Sequence, residues 1–448
     1  MQRLTRISRC LFVLLASCTC SRARSDPPAT RLPGLPASAT WDWNGVIGTG
    51  QSLAVGVQGG VVSVEPSYRN LKLDLGNRLS PAMDPSSRRL SLVALREPIR
   101  ALTDGYPGPY PRNIYGETPH TAMASQITAL ALRDTAGQGD YVTVHSVVGE
   151  SGQALKVIDK RAKPTYEGGQ AYRASLFEVA AIARLAREAK RSFGVSAVVL
   201  THGETDATSS DYAQGLLTLW RDYSADLPSI TGQTAPIPLL VSQQASSPSE
   251  AGSVAASALQ VLEAAAQEPR NILCTGPRYQ YEYDDDAVHL RGVGYVRLGE
   301  KYGQAYYERV VRGREFRALS PLSVESQSGL VKVRFHVPVP PLAWDERLPA
   351  PHKSGVVAWR EGRGFELSSG DRPVRIESVT IEGDSVIVRH AEPATSRLTV
   401  RYAATAMPEP RPGGTRRWGQ LRDSDPFRGA QSRTPQPNYA VIFELPVP

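Results

Sequence analysis

Cysteine is scarce, four residues in 448, and Cys10 falls inside a short N-terminal apolar run. The remaining Cys18, Cys20 and Cys274 cannot build a disulfide framework, so stability has to come from packing. No Cys/His cluster stands at a fixed ligand spacing, which excludes a structural zinc. Long apolar runs are lacking as well: CLFVLLAS near the N-terminus is too short to span a bilayer. Internal repeats, heptads and charge blocks are absent. The formal charge of +7 includes Arg3, Arg6 and Arg9. Without those three it is about +4 and spread through the chain, apart from small clusters such as Arg416-Arg417, so no footprint for nucleic acid exists. At 41% hydrophobic and 21% charged, the chain is too apolar for disorder and long enough for two or three cored domains.

The three N-terminal arginines precede the apolar run as in a signal peptide, residues 1–17. The run ends in Leu15-Ala16-Ser17-Cys18, which resembles the lipobox of bacterial lipoproteins. An ordinary secretion signal cleaved nearby is the alternative, and both place the protein outside the cytoplasm, in the cell envelope. The lipobox resemblance implies a lipid anchor to a bacterial membrane at Cys18, held stably by its acyl chains. Residues 18–40, rich in Pro, Ser and Thr without periodicity, form a tether.

From residue 41 to about 313, short runs rich in β-branched residues alternate with amphipathic helical stretches. YVTVHSVVG, VSAVVLTHG, IPLLVSQQ and NILCTGP have turn residues at their flanks. In the stretch 174–190, Leu176, Val179, Ala183 and Ala186 share one helical face. Alternation of this kind predicts an α/β domain with a parallel sheet covered on both faces. After residue 317 the pattern changes. LVKVRFHV alternates apolar with polar residues, and VRIESVTIEGDSVIVRH places two strands around a Glu382-Gly383-Asp384-Ser385 turn. Residues 318–448 are predicted to form a smaller all-β, sandwich-like C-terminal domain. The stretch MPEPRPGGTRRWGQLRDSDPF is a long excursion within it, a candidate for packing back on its neighbour.

In a doubly wound sheet, ligands collect at the carboxyl ends of the strands. Gly50-Gln51-Ser52 follows the first strand, Gly149-Glu150-Ser151-Gly152 the next, His202-Gly203-Glu204 the third, and YDDDAVHL comes after the last. A serine hydroxyl becomes a nucleophile when a neutral imidazole removes its proton, and that imidazole needs a carboxylate on its other nitrogen. Asp286 and His289, three residues apart, come from one turn and can present base and orienter together. Glycines beside the serine leave N–H groups approachable for an oxyanion. This chemistry needs no cofactor and no metal.

GQSLA, GESGQAL, HGETDA and DAVHL followed by GYVRLGEKYGQAY resemble the blocks of SGNH-type hydrolases, in the branch of sialate O-acetylesterases and carbohydrate acetylesterases. The resemblance covers roughly residues 43–310. It implies a flavodoxin-like three-layer α/β/α fold and deacetylation of sugars or polysaccharides. By position it assigns Ser52 as nucleophile and oxyanion donor, Gly152 or Gly149 as the second donor, His289 as base and Asp286 as its orienter. Gly203 and Glu204 match the block that shapes the site. His202 stands where the branch has Gln, so it is a candidate oxyanion donor with a pH-dependent contact. Gln51, Glu117 and His120 are candidates for the substrate pocket.

Other readings stand beside these. Asp284 or Asp285 can replace Asp286 as orienter, and His202 with Glu204 can be a structural pair. His145 reads as a core residue, while His336 and His390 read as solvent-facing. No Gly-x-Ser-x-Gly elbow surrounds Ser52, against an α/β-hydrolase. The expected function is an exported esterase acting on acetylated carbohydrate. A non-catalytic glycan-binding protein and a lipase- or thioesterase-like enzyme are the alternatives. Trp344, Trp359 and Trp418 are the aromatics that would stack on a sugar if the β domain binds one.

Overall fold

The computed structural model describes residues 41–75, 83–99, 116–135, 140–165, 168–392 and 397–448. The signal-like segment, the tether and Cys18 lie outside the described residues. Seven strands form the central sheet: β1 (Trp43–Gly50), β2 (Leu71–Asp74), β3 (Ser91–Ala94), β4 (Val142–Val147), β5 (Phe193–Thr201), β6 (Leu239–Gln243) and β7 (Ile272–Pro277). Their order is β3-β2-β4-β1-β5-β6-β7. All neighbours run parallel except β2 with β3.

Taken alone, β4-β1-β5-β6-β7 has the flavodoxin-like order, and β2 and β3 extend it beside β4. These two short, half-polar strands were not legible as part of the sheet in the sequence. The chain leaves β1 toward one edge and β5 toward the other, so a crevice opens at the carboxyl ends of these two adjacent strands. Ser52 and His202 therefore sit at the switch point.

Among the described residues, six α-helices cover the sheet: α1 (Pro119–Asp134), the single turn α2 (Leu155–Ile158), α3 (Ala171–Glu188), α4 (Tyr212–Thr231), α5 (Ala256–Gln267) and α6 (Gly292–Tyr306). Strand alternation divides them between two faces. Val46, Ala197 and Val199 pack with Met123, Ile127 and Leu298 of α1 and α6. Ile47, Val198 and Leu200 pack with Phe177, Ile182, Leu216 and Val261 of α3, α4 and α5. The result is three layers with a core on each side. Thr118 caps α1 by accepting from the His120 N–H (3.2 Å), with Pro119 next in the chain. Gly232, at φ 73°, ends α4 in the left-handed region. None of the described helices is long and apolar enough to cross a membrane.

The rest of the chain is antiparallel. β8 (Ser320–Gln327), β9 (Leu330–His336), β10 (Ala343–Trp344), β11 (Phe365–Ser369), β12 (Arg372–Pro373), β13 (Ile376–Glu382), β14 (Ser385–His390), β15 (Leu398–Tyr402), β16 (Leu421–Arg422) and β17 (Phe443–Val447) follow in order. Sheet β13-β14-β9-β8 faces sheet β12-β11-β15-β17, and β10 pairs with β16. Phe335 of β9 meets Phe365 and Phe443 of the other sheet edge-on, at 6.3 and 6.0 Å between ring centres. His390, expected in solvent, is buried, and its Nδ1 accepts the Glu392 N–H (3.2 Å). The two units share their core: the Gln243 side chain brackets Ile442 with two hydrogen bonds of 2.8 Å.

Candidate active site

Ser52 stands one residue into the turn that follows β1, where the Gln51 and Ser52 carbonyls accept the Ala54 and Val55 N–H groups (2.8 and 3.2 Å). The turn buries Leu53, Ala54 and Val55 and holds Ser52 nearly buried as well. Neither its N–H nor its Oγ has a partner among the described residues. Gln51 points the other way: it is buried, and its Oε1 accepts from the Thr205 N–H (3.3 Å), so it ties the serine turn to the loop after β5.

The Asp286–His289 turn is built by its own backbone. Asp286 Oδ1 accepts the Val288 and His289 N–H groups (2.9 Å each), and Oδ2 accepts from His289 Nδ1 at 2.6 Å. Ala287 between them adopts φ 56°, a left-handed conformation that closes the turn. Burial raises the Asp286 carboxyl, but the His289 and Val288 N–H groups and the imidazole outweigh it and hold the group below the ordinary carboxylate range. With Nδ1–H directed at the carboxylate, Nε2 carries the lone pair. Nε2 is buried without a partner. The other two aspartates are turned elsewhere: Asp285 is almost fully exposed and pairs with Arg291 (3.0 Å), while Asp284 faces the same arginine at 3.7 Å.

The serine turn and the histidine turn are joined. With its amide turned so that the nitrogen faces the two carboxylates, the orientation that satisfies both ends of the group, Gln58 donates to Asp286 Oδ2 (3.1 Å) and Asp284 Oδ2 (3.2 Å). Gln58 itself sits at φ 58°. Two left-handed non-glycine residues, Gln58 and Ala287, thus flank the Asp286 carboxylate, and such strain concentrates at functional sites. The Tyr295 hydroxyl of α6 adds a hydrogen bond to the Val57 carbonyl (2.9 Å).

Gly152 lies on the loop after β4 at φ 75°, where an added Cβ would meet nothing within 4 Å. Its N–H has no acceptor among the described residues. Gly149 has a different duty: a Cβ there would stand 2.7 Å from the Gly50 carbonyl oxygen, so it lets the ends of β1 and β4 approach. Glu150 is buried, and its carboxylate accepts the Gly169, Gln170 and Ala171 N–H groups at the start of α3 (2.8, 2.7 and 2.8 Å).

His202 corrects the expectation of an oxyanion donor, because both ring nitrogens are already engaged. Nε2 donates to the Gln153 carbonyl (3.0 Å) and Nδ1 accepts from the Tyr212 hydroxyl (3.1 Å). Burial lowers its pKa, against the pull of Asp206, so the ring is neutral. Asp206 accepts the Leu155 N–H (2.8 Å). Together they hold the stretch just after Gly152, at Gln153 and Leu155, from the loop after β5. His202 therefore shapes the site by holding the residue next to Gly152.

Beneath the rim, Glu204 Oε1 pairs with Arg278 Nη2 at 2.7 Å, with both side chains buried. Glu204 Oε2 and Arg278 Nη1 are left without partners. The same Nη2 donates to the His202 carbonyl (3.0 Å). Gly203, at φ 122°, is placed between, and its carbonyl accepts from Ser257 Oγ (2.7 Å).

Glu117 and His120, candidates for a pocket wall, are enclosed instead. Glu117 accepts the Val62 and Ser63 N–H groups (2.8 and 2.9 Å) and the Ser63 hydroxyl, which fixes the loop that continues from Gln58. His120 is buried against His145, Nδ1 to Nδ1 at 3.0 Å, and its Nε2 occupies the space a Cβ at Gly48 would need. Neither faces an open surface. Among the described residues, no three His, Cys, Asp or Glu side chains converge to hold a metal. Gln58 and Arg278 escaped the sequence reading, and Asp206 entered it only as part of the HGETDA block. Only the lone polar Gln58 among the turns after Ser52 and the arginine ending NILCTGPR signalled the first two.

No family model matches the chain, and no curated protein matches its sequence. Solved structures do. The fold is similar to that of a carbohydrate acetylesterase from Xanthomonas citri, with a TM-score of 0.53 over 90% of this chain and 80% of that one, at 14% identity. A protein from Arabidopsis thaliana matches 59% of this chain and 97% of its own length at 18% identity and a TM-score of 0.41. NanS matches 61% and 98% at 12% identity and a TM-score of 0.38. At these identities the likeness is one of fold, and the first of the three carries it. The chain has a three-layer α/β/α fold similar to that of this acetylesterase, as its motifs led one to expect, with antiparallel sheets following it.

Proposed function

We propose that the protein is an exported serine esterase that removes O-acetyl groups from carbohydrate through an acyl-serine intermediate. One observation carries this reading: an imidazole fixed at Nδ1 by a carboxylate, with a buried, unpartnered Nε2, on a turn joined through Gln58 to the turn of an unpartnered serine. Catalytic hydrogen bonds are commonly long before substrate arrives.

Ser52 Oγ attacks the acetyl carbonyl carbon as its proton passes to His289 Nε2, and the carbonyl electron pair moves onto oxygen. The Ser52 and Gly152 N–H groups, free of other acceptors, receive that oxyanion. Collapse breaks the bond to the sugar oxygen, which leaves with the proton from His289. Water then attacks the acyl-serine, giving its proton to Nε2. Acetate departs as Ser52 recovers its hydrogen. The similarity in fold to a carbohydrate acetylesterase supports the substrate class. The lipobox-like tetrad at Cys18 supports export and a membrane anchor.

The test is a fluorophosphonate titration of the purified full chain, read by intact mass and paired with p-nitrophenyl acetate turnover. One adduct, absent from Ser52→Ala and His289→Ala, is expected, with turnover lost in both. A folded wild type that takes no adduct would refute the enzyme reading and favour a glycan-binding protein. Turnover of acetylated sugar over longer-chain esters completes it.

A further inference from the structure

The C-terminal unit has no exposed indole platform among the tryptophans singled out from the sequence. Trp359 and Trp418 are buried, with their indole N–H groups given to the Leu367 and Pro349 carbonyls (2.7 and 2.8 Å). Trp344 is covered by the Arg363 guanidinium, 5.3 Å from the ring centre. What this unit does instead is visible in its long excursion, residues 407–427, and in the chain that continues it to 436, both of which contact the hydrolase sheet unit. Arg411, itself nearly buried, donates from one guanidinium nitrogen to the carbonyls of both Tyr279 and Tyr281 (2.7 Å each). The Gly413 carbonyl accepts the Tyr283 N–H (3.0 Å). These three tyrosines are the segment that leads from β7 into the Asp286–His289 turn, and Tyr283 bridges to Leu290 on its far side.

The sequence builds this contact locally. Arg411-Pro412-Gly413-Gly414-Thr415 closes a turn, with Arg411 and Thr415 joined by a backbone hydrogen bond of 3.0 Å. Gly413 takes φ 60°, and a Cβ on Gly414 would collide with the Arg411 side chain. Only a glycine pair lets the guanidinium fold back over the turn and reach the tyrosine carbonyls. Further along the chain, Gln431 Nε2 donates to Ser63 Oγ (2.7 Å), and its N–H donates to the buried Glu300 (2.8 Å). Ser63 is held by Glu117 at the end of the loop that carries Gln58. The excursion and its continuation thus grip the approach to the histidine turn and the exit from the serine turn.

We infer that Arg411 is a positioning residue for the catalytic base: through the Tyr279 and Tyr281 carbonyls it holds the Asp286–His289 turn where Nε2 can serve Ser52. This rests on the esterase reading above. The β unit is then an internal clamp for the hydrolase rather than a sugar-binding module. A displacement of about 1 Å in a catalytic group can lower a rate by roughly 100-fold without altering substrate affinity.

The experiment compares the full-length wild type with Arg411→Ala and the milder Arg411→Gln, which can reach one carbonyl. Three quantities are read on folded protein: the rate of fluorophosphonate labelling at Ser52, kcat and KM for p-nitrophenyl acetate, and the far-downfield proton signal of the short His289–Asp286 hydrogen bond. The expected result is labelling and kcat lower by roughly 10- to 100-fold in Arg411→Ala with KM nearly unchanged. Arg411→Gln should fall between, and the downfield proton should broaden or vanish. Arg411→Lys, which restores a cation and a donor, should recover part of the rate. Wild-type labelling and a wild-type proton signal in either folded variant would overturn the inference while leaving the esterase reading intact. A wild type that does not label would overturn both.

Discussion

One pair of side chains stands at the rim of the parallel sheet and another beneath it, and they are built in opposite ways. Asp286 and His289 come from one turn, are partly exposed, and leave a single atom, His289 Nε2, without a partner. Glu204 and Arg278 come from the ends of different strands, are buried, and leave one atom on each side unanswered. The first pair is small and local, and its unpartnered nitrogen is the one proposed above to take the serine proton. The second is internal and braces the loop after β5 against the segment after β7. In the reaction proposed above, chemistry and support are thus separated by depth: the partly exposed pair reacts and the buried pair braces the loop after β5.

The largest effect expected from breaking this arrangement is on activity. Asp286→Asn keeps an oxygen for the Val288 and His289 N–H groups, so the turn survives, yet it presents an amide to Nδ1 and favours the wrong tautomer. A loss of about 10³- to 10⁴-fold in kcat is expected with little change in melting temperature. A variant with near wild-type kcat would show that the aspartate does not orient the base. The second break is on stability. Arg278→Met strands the buried Glu204 carboxylate and should cost about 3–5 kcal/mol in urea unfolding. Replacing both, Glu204→Leu with Arg278→Met, should recover much of that loss. A single variant costing as little as the double one would mean the two groups are not coupled.

The same contrast explains what could be read in advance. The type of the parallel strands, the serine turn and the Asp-x-x-His turn are local patterns, and each could be read from a few consecutive residues. The orienter among Asp284, Asp285 and Asp286 could not, because only the fold of the turn decides which carboxylate meets the ring. His202 was legible as a departure from a resembled motif but not in its role, which depends on Gln153 and Tyr212 meeting it from two other elements. Arg278, Gln58 and Arg411 act across long separations in sequence, through backbone carbonyls or a carboxylate brought near by the topology. Glu117 and His120 were misplaced for the same reason: polar residues at a helix start look accessible until the sheet and the loop after Ser52 close over them.

A third carboxyl sharpens the comparison because it is buried with no cation paired to it among the described residues. Glu97 accepts from Thr118 Oγ (2.5 Å), Thr121 Oγ (3.0 Å) and the Ile99 N–H (2.9 Å). Burial, reinforced by the neighbouring Glu117 carboxyl, pushes its pKa up to about 8 despite those donors. Glu204 answers burial with a guanidinium, whereas Glu97 answers it by keeping its proton. The sign of the consequence follows. Below the unfolded pKa both states are protonated and the stability Glu97 supports is complete. As pH rises toward about 8, the unfolded chain releases this proton and the folded chain does not, so stability falls. The slope is at most about 1.4 kcal/mol per pH unit and is spread by the coupling to Glu117. Glu97→Gln removes the titration while retaining a polar side chain, and should flatten the decline between pH 5.5 and 8 in urea unfolding. If wild type and variant lose stability in parallel over that range, Glu97 is ionised in the folded protein, and the contrast with the Glu204–Arg278 pair fails.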